Sequence, residues 1–275
     1  MAELTFLVDN SPSGHLPELE AEHGFSLYIR FHNKNILCDT GASGCFAGNA
    51  EKIGISLKDL SFAFMSHGHA DHTGGLAQLL ELSGTDIYIS KYAEDRHFIS
   101  LRHEKPKDIS PDFRLFMEYR DRFRFVSTST WLSEDIAAVY NISDRYAKPY
   151  GNSYLEADCG AGGRQDDFIH EMALVLKRNS GIIIISPCSH GGAGNIMDSC
   201  RRFTGERRVK AYIGGLHFVD SPYTEEETER FLKEMQETAP ETVFYTGHCT
   251  GDKAKARLSG NPRIKFFHTG DRLVI

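Results

Sequence analysis

The chain has 275 residues, 40% hydrophobic and 25% charged, the proportions of an ordinary soluble globular protein with enough chain to bury a sizeable core as one large domain or two smaller ones. A formal net charge of −7 argues against nucleic acid as a partner, and no apolar run reaches the length of a membrane span. The opening stretch 1–10 lacks the basic region and long apolar run of a secretion signal, and six cysteines at 38, 45, 159, 188, 200 and 249 include no Cys-x-x-Cys pair, so reduced thiols and a cytoplasmic location are expected.

Residues 3–8 and 25–30 read as strands, separated by a Ser-, Pro- and Gly-containing loop over 10–24. Asn35–Asp39 is a short apolar strand ending in Asp39-Thr40-Gly41. Asn49–Gly54 reads as a short helix closed by glycine. Residues 61–66 form another short buried strand. His67, His69, Asp71 and His72 follow at once, then Gly74-Gly75, then a helical face of Leu76, Leu79, Leu80 and Leu82. Four metal-capable side chains therefore sit on one strand-to-helix turn. Imidazole together with carboxylate suits zinc, iron or manganese, and Gly68 permits close backbone approach between the first two histidines.

Asp86–Ser90 is the next strand. The span 91–168 breaks the pattern, with dense charges, frequent aromatics such as Phe98, Phe113, Phe116 and Phe123, and a stretch at 143–166 rich in Gly, Asp, Tyr and Ser. It is expected to be an inserted cap. His97, Arg102 and His103 within it read as solvated surface groups. From 167 regular structure resumes: His170-Glu171 precedes an apolar strand, Asn179-Ser180-Gly181 marks a hairpin turn, and Gly181–Ser186 returns to end in Pro187-Cys188-Ser189-His190. A helix runs from about 194 to 203, with the Arg201/Arg202 and Arg207/Arg208 pairs as its charged end. Val209–Gly214 leads into Gly215-Leu216-His217, and Thr224 with Glu227 fits a capping box opening a helix that buries Phe231, Leu232 and Met235. Thr242–Thr246 ends in Gly247-His248-Cys249, and strands at Ile264–Phe267 and Leu273–Ile275 close the chain. Strand–helix alternation implies an α/β class with helices outside sheets.

His67-x-His69-x-Asp71-His72 after an apolar strand resembles the signature of the metallo-β-lactamase superfamily. Asp39-Thr40-Gly41 resembles that family's first motif. Leu7-Val8-Asp9-Asn10, His23-Gly24-Phe25-Ser26 and Phe168-x-His170-Glu171 resemble one branch, the metal-dependent hydrolases related to dihydropteridine (methanopterin-pathway) synthases. The resemblance implies an αββα sandwich over 1–275, with 91–168 inserted as a cap that covers the metals and chooses the substrate. It implies that Asp39 orients a metal-binding histidine or the loop that carries it. It implies an ordered ligand set: the His67, His69, Asp71, His72 cluster, then His170, then an acid or cysteine, then a last histidine. Cys188 stands where the bridging aspartate usually stands, and either its thiolate or a returning His190 fills that place. His248 best matches the closing ligand, with His217 as its rival or as a substrate contact.

The implied centre holds two divalent ions, zinc first, with iron or manganese as alternatives. His67, His69 and His170 would hold one, and Asp71, His72 and His248 the other, with Asp71 also relaying a proton. The implied reaction is hydrolysis of a small-molecule ester, lactone or (cyclic) phosphate ester. Its partner is then a small molecule, anionic if it is a phosphate ester, and neither nucleic acid nor membrane. A di-iron redox or oxygen-handling protein and a non-catalytic metal-binding sensor share the donors. The first lacks a flavin-binding domain as an electron entry, and the second needs only four closed ligands.

Overall fold

The structure, a computed structural model, describes residues 1–102, 104–158 and 163–275, so His103 and Cys159 lie outside the described residues. The chain forms two compact units, one of 1–127, 156–164 and 267–275, the other of 128–155 and 165–266.

The first unit is built on a seven-stranded sheet in the order Arg272–Val274, Ala2–Val8, Ser26–Phe31, Lys34–Cys38, Phe62–Phe64, Ile87–Ser90, Phe123–Val126. The pairings are antiparallel as far as Lys34–Cys38 and parallel beyond it. Parallel strands need crossovers, and the helices Cys45–Lys52 and Leu76–Leu82 lie in two of them. Their apolar faces, with Phe46, Leu76 and Leu79, close a core with Leu37, Ala63, Ile87 and Phe116.

The second unit repeats that plan. Its seven strands run Ile264–Phe266, Val243–Thr246, Val209–Ile213, Gly181–Ile185, Met172–Arg178, Ile136–Tyr140, Thr130–Ser133. The first four pair parallel and the rest antiparallel. Gly181–Ile185 is buried along its whole length, as a β-branched run in the parallel part of a sheet should be. Helices Ala193–Thr204, Thr224–Thr238 and Asp252–Leu258 supply Ile196, Met197, Phe231, Met235 and Leu258 to a core with Ile182, Ile184, Tyr212 and Phe244. In both units the parallel strands end in short turns, and open α/β sheets place ligands outside those carboxyl ends.

The span 91–168 divides. Phe123–Val126 is an edge strand of the first sheet, and Thr130–Ser133 and Ile136–Tyr140 belong to the second. All five residues of Ile136–Tyr140 are buried, an apolar strand hidden in the sequence by charged flanks. His97–Ser100, Lys107–Asp108, Leu155–Asp158 and Arg164–Gln165 form a third, four-stranded sheet.

The expected capping box at Thr224 does not form. Thr224 is the first helical residue after Tyr223, its Oγ1 accepts from Ser221 N at 2.9 Å, and Glu227 Oε1 accepts from Tyr150 N at 2.6 Å instead of closing the box. Arg201 closes the end of its own helix by donating from Nε to Arg207 O at 2.8 Å. Among the described residues no helix is long and apolar enough to cross a membrane.

Candidate metal centre

Strand Phe62–Phe64 delivers the chain into the turn that carries His67, His69, Asp71 and His72, and the one-turn helix Ala70–Thr73 holds the last two. The three histidines are at most 3% exposed. Their rings meet, with centroids 4.6 Å apart for His67–His69 and 4.1 Å for His67–His72. Gly68 is required there, because a Cβ would come within 2.6 Å of the Phe98 ring.

Asp39 organises this turn from the end of the neighbouring strand. Its Oδ1 accepts from Ser66 N at 2.7 Å, and its Oδ2 accepts from Ser66 Oγ at 2.7 Å and from His72 Nδ1 at 2.7 Å. With the Ser66 hydroxyl proton directed at Asp39, Ser66 Oγ accepts from His67 Nδ1 at 2.9 Å. Both histidines therefore carry their proton on Nδ1 and present Nε2. This is how an outer carboxylate fixes the tautomer of a metal-binding imidazole. The expected orienting role of Asp39 thus has a geometric form. Burial alone would push the His72 pKa down, but the Asp71 and Asp39 carboxylates outweigh it and hold it up at about 10. Two carboxylates around one buried ring favour positive charge at that spot.

Asp71 faces His72, with Oδ2 3.5 Å from His72 Nε2, and the same oxygen lies 3.5 Å from His23 Nε2. His23 is held from behind by Asn10, whose Nδ2 lies 3.0 Å from His23 Nδ1 and whose Oδ1 accepts from Gly24 N at 3.1 Å. Gly24 lets the strand start against the metal turn, since a Cβ would come 2.8 Å from Asp71 O.

The second unit spreads its donors over four strand ends. His170 precedes Met172–Arg178, and its Nε2 pairs with Asp166 Oδ2 at 3.0 Å, both side chains fully buried. Cys188 follows Gly181–Ile185 and His248 follows Val243–Thr246; Cys188 Sγ lies 3.4 Å from His248 Nε2. Cys249 joins them, and the ligand atoms of Cys188, His248 and Cys249 lie within 4.8 Å of one another, near enough for one ion.

His190 is held in the way His67 and His72 are. Its Nδ1 donates to Asn152 Oδ1 at 3.1 Å while Asn152 Nδ2 donates to His190 O at 2.8 Å, which leaves Nε2 as the presented atom. Glu171 fixes the backbone: its two oxygens accept from His190 N and Gly191 N at 2.7 Å each. Burial pushes the Glu171 pKa up, and these two bonds oppose it. His217 packs edge-on to His190 with centroids 4.2 Å apart, and Phe168 stacks flat on the other side at 4.3 Å.

Backbone strain marks the same places. Outside glycine, positive φ occurs among the described residues at Asp39, Phe168, Ser189, His217 and His248, and otherwise at His32 in a hairpin turn. Left-handed backbone at residues with side chains costs free energy and clusters where function demands it.

Sequence reasoning missed Ser66, Asn152, Asp166 and Glu171, the residues that hold the histidines. Asp166 had a signal in its four-residue spacing from His170. Asn152 had none, because it reaches His190 from a remote loop.

The chain's likenesses agree with this geometry. The family model described as metallo-beta-lactamase superfamily matches residues 19–129. A 7,8-dihydropterin-6-methyl-4-(beta-D-ribofuranosyl)-aminobenzene-5'-phosphate synthase of Methanocaldococcus jannaschii is 27% identical over 253 residues, covering 86% of this chain and 83% of that one. A solved structure described as a metal-dependent hydrolase of the beta-lactamase superfamily is 28% identical, with a TM-score of 0.83 over 100% of this chain and 99% of that one. Human tRNase Z, short form, shares the fold at 12% identity, with a TM-score of 0.56 over 99% of each chain. The resemblance read from the histidine cluster is borne out, and the α/β fold is that of the metallo-β-lactamase neighbours.

Proposed function

We propose that this chain, which has the metallo-β-lactamase fold, is a binuclear metal-dependent hydrolase. The observation that supports this most is a shared device: His67, His72 and His190 each have Nδ1 tied to a protein oxygen, so each presents Nε2. His67, His69 and a middle histidine would hold one ion, and Asp71, His72 and His248 the other, with Cys188 shared or beside them. For the middle histidine we take His190 ahead of His170, because His190 presents Nε2 as His67 and His72 do, whereas Asp166 ties Nε2 of His170 and leaves Nδ1 as its presented atom. Thiolate and imidazole donors suit zinc ahead of iron or manganese.

When bound, such ions polarise a carbonyl or phosphoryl oxygen and make water nucleophilic near neutral pH. The chain's own residues supply orientation and proton handling. Asp39 and Asn152 hold the rings. Asp71 Oδ2, between His72 Nε2 and His23 Nε2, is placed to accept a proton and pass it outward through His23.

Within small esters, lactones and phosphate esters, we favour a phosphate ester that carries a pterin, because the dihydropterin synthase aligns over most of both chains. The segments outside the two large sheets, in particular 141–154, would choose that substrate. Six scattered cysteines without a Cys-x-x-Cys pair suit a reducing compartment such as the cytoplasm. The test is elemental analysis of protein purified without chelator, followed by a panel of esters, lactones and phosphodiesters. More than one equivalent of zinc, iron or manganese and hydrolysis of one class are expected. A folded preparation that holds no metal ends the reading.

A further inference from the structure

The second unit brings two buried thiols to one imidazole. Cys188 is 4% and Cys249 8% exposed, and their sulfurs lie within 4.8 Å of each other and of the His248 ligand atom. Cys188 Sγ is 3.4 Å from His248 Nε2. Zinc bonds of about 2.3 Å to sulfur and about 2.0 Å to nitrogen, set at a tetrahedral angle, hold such atoms about 3.5 Å apart.

Strands that are not neighbours supply the thiols. Gly181–Ile185 leads to Cys188, Val243–Thr246 leads to Cys249, and Val209–Ile213 runs between them. The middle strand ends in Gly214-Gly215, and these glycines let the outer turns meet. A Cβ on Gly215 would collide with Cys249 Sγ, and one on Gly214 with Ser186 O. Gly215 N donates to Pro187 O at 2.7 Å and Ser189 Oγ donates to Gly215 O at 2.6 Å, which ties the Cys188 turn to them.

The turn that carries Cys249 is shaped to offer two donors in succession. In an extended strand, consecutive side chains point to opposite faces. Here Thr250 N donates to Gly247 O at 2.9 Å and closes a turn with His248 and Cys249 at its centre, and His248 is left-handed with φ 47°. Leu216 N donates to Thr250 Oγ1 at 2.9 Å and Gly251 N to Phe218 O at 2.9 Å, so the turn is fixed from outside. Left-handed backbone at a histidine costs free energy, and thiols used only for packing give no reason to spend it. The Cys249 thiol directs its proton at Cys188 O, 3.5 Å away. That proton is the one that metal binding would release.

We propose that Cys249 is a direct ligand of the ion that His248 holds, with Cys188 as the second thiolate. This rests on the metal-dependent reading above and adds a donor to it. Two thiolates cancel the charge of a divalent ion and select a thiophilic one, zinc or cadmium over manganese.

The test is cobalt substitution in the full chain after its resident metal is removed with chelator. Cobalt held by thiolate absorbs in the near ultraviolet through sulfur-to-metal charge transfer, and the intensity grows with the number of thiolates. At equal cobalt content, Cys249→Ser and Cys188→Ser should each weaken the band by about half, and the double variant should lose it. Cys45→Ser, which changes a thiol outside the cluster, should leave the band as in the parent. An unchanged band in Cys249→Ser overturns the proposal. The unsubstituted chain gives a second measurement that no folding defect can blur. Loaded with cadmium, its metal NMR resonance should fall in the downfield range of two thiolates, and a resonance in the range of one thiolate or none overturns the proposal. The two readings fail separately. A two-thiolate signal without hydrolysis of any ester keeps the ligand and removes the hydrolase; hydrolysis by a metal-loaded chain with one thiolate or none does the reverse.

Discussion

The two units share a sheet plan but distribute their chemistry in opposite ways. The first places His67, His69, Asp71 and His72 on one turn and anchors two of them through a single carboxylate, Asp39. The second takes His170, Cys188, His190, His217 and His248 from four strand ends and gives His170 and His190 separate anchors in Asp166 and Asn152. A concentrated site is set by local sequence. A dispersed one is set by sheet register, since neighbouring strand ends are fixed relative to one another by the ladder. Damage should therefore spread differently in the two.

The largest effect is expected from the concentrated turn. His69→Ala should reduce bound metal below one equivalent and lower hydrolysis on the order of a thousandfold, several kcal/mol of lost charge stabilisation. Metal analysis alongside turnover checks it. Retention of two ions would show that the turn is not the nucleus of the centre.

Next comes the choice between two dispersed histidines. His217 and His248 share a left-handed backbone at φ 53° and 47°. His248 Nε2 lies 3.4 Å from Cys188 Sγ, whereas His217 packs against the His190 ring. His248→Ala should lose one equivalent of metal. His217→Ala should keep both ions and mainly weaken substrate binding or turnover. The opposite stoichiometry reverses the assignment.

A smaller contrast separates the anchors. Asp39→Asn disturbs Ser66, His67 and His72 together and should cost about a hundredfold in metal affinity, with a fall in stability of about 2 kcal/mol from buried donors left mismatched. Asn152→Ala loosens one histidine and should cost about tenfold. Competition with a chromophoric chelator measures both. Equal losses would show that the two units anchor their donors alike.

The same contrast explains what the sequence revealed. The turn at 67–72 is contiguous, so its residue types and spacing expose it directly, and the apolar strand before it tells where it points. Strands such as Ser26–Phe31 and Gly181–Ile185 were legible from apolar runs and turn residues. Cys188, His190, His217 and His248 were legible only as strand ends in order. Which nitrogen each ring presents depends on Asn152, Asp166 and Ser66, and no periodicity announces a residue that reaches across a loop. Ile136–Tyr140 was hidden because charged and turn-forming neighbours surround a five-residue strand. The shared plan of the two sheets was hidden because a topological repeat constrains pairing directions, not residue identities.

The smallest effect tests how a dispersed site depends on remote tethers. Glu227 is buried, its Oε1 accepts from Tyr150 N at 2.6 Å, and its Oε2 has no hydrogen-bond partner among the described residues. That bond holds the loop whose Asn152 anchors His190. Burial raises the Glu227 pKa above its ordinary 4.5, opposed by the Tyr150 N–H and by Arg230. The folded state thus takes up this proton more readily than the unfolded chain. The stabilisation that follows is complete below the ordinary value and is lost as pH rises through the folded value. Glu227→Gln keeps an acceptor for Tyr150 N and removes the buried charge. It should raise Tm at pH 8 by about 2 °C, and the gain should vanish towards pH 4, where the parent carboxyl is protonated. Glu227→Ala removes the tether as well, so it should lower Tm at both pH values and weaken metal binding a few-fold through Asn152. If Glu227→Ala leaves metal affinity untouched, the loop holds His190 without this tether, and the dispersed unit is less dependent on remote contacts than its geometry indicates.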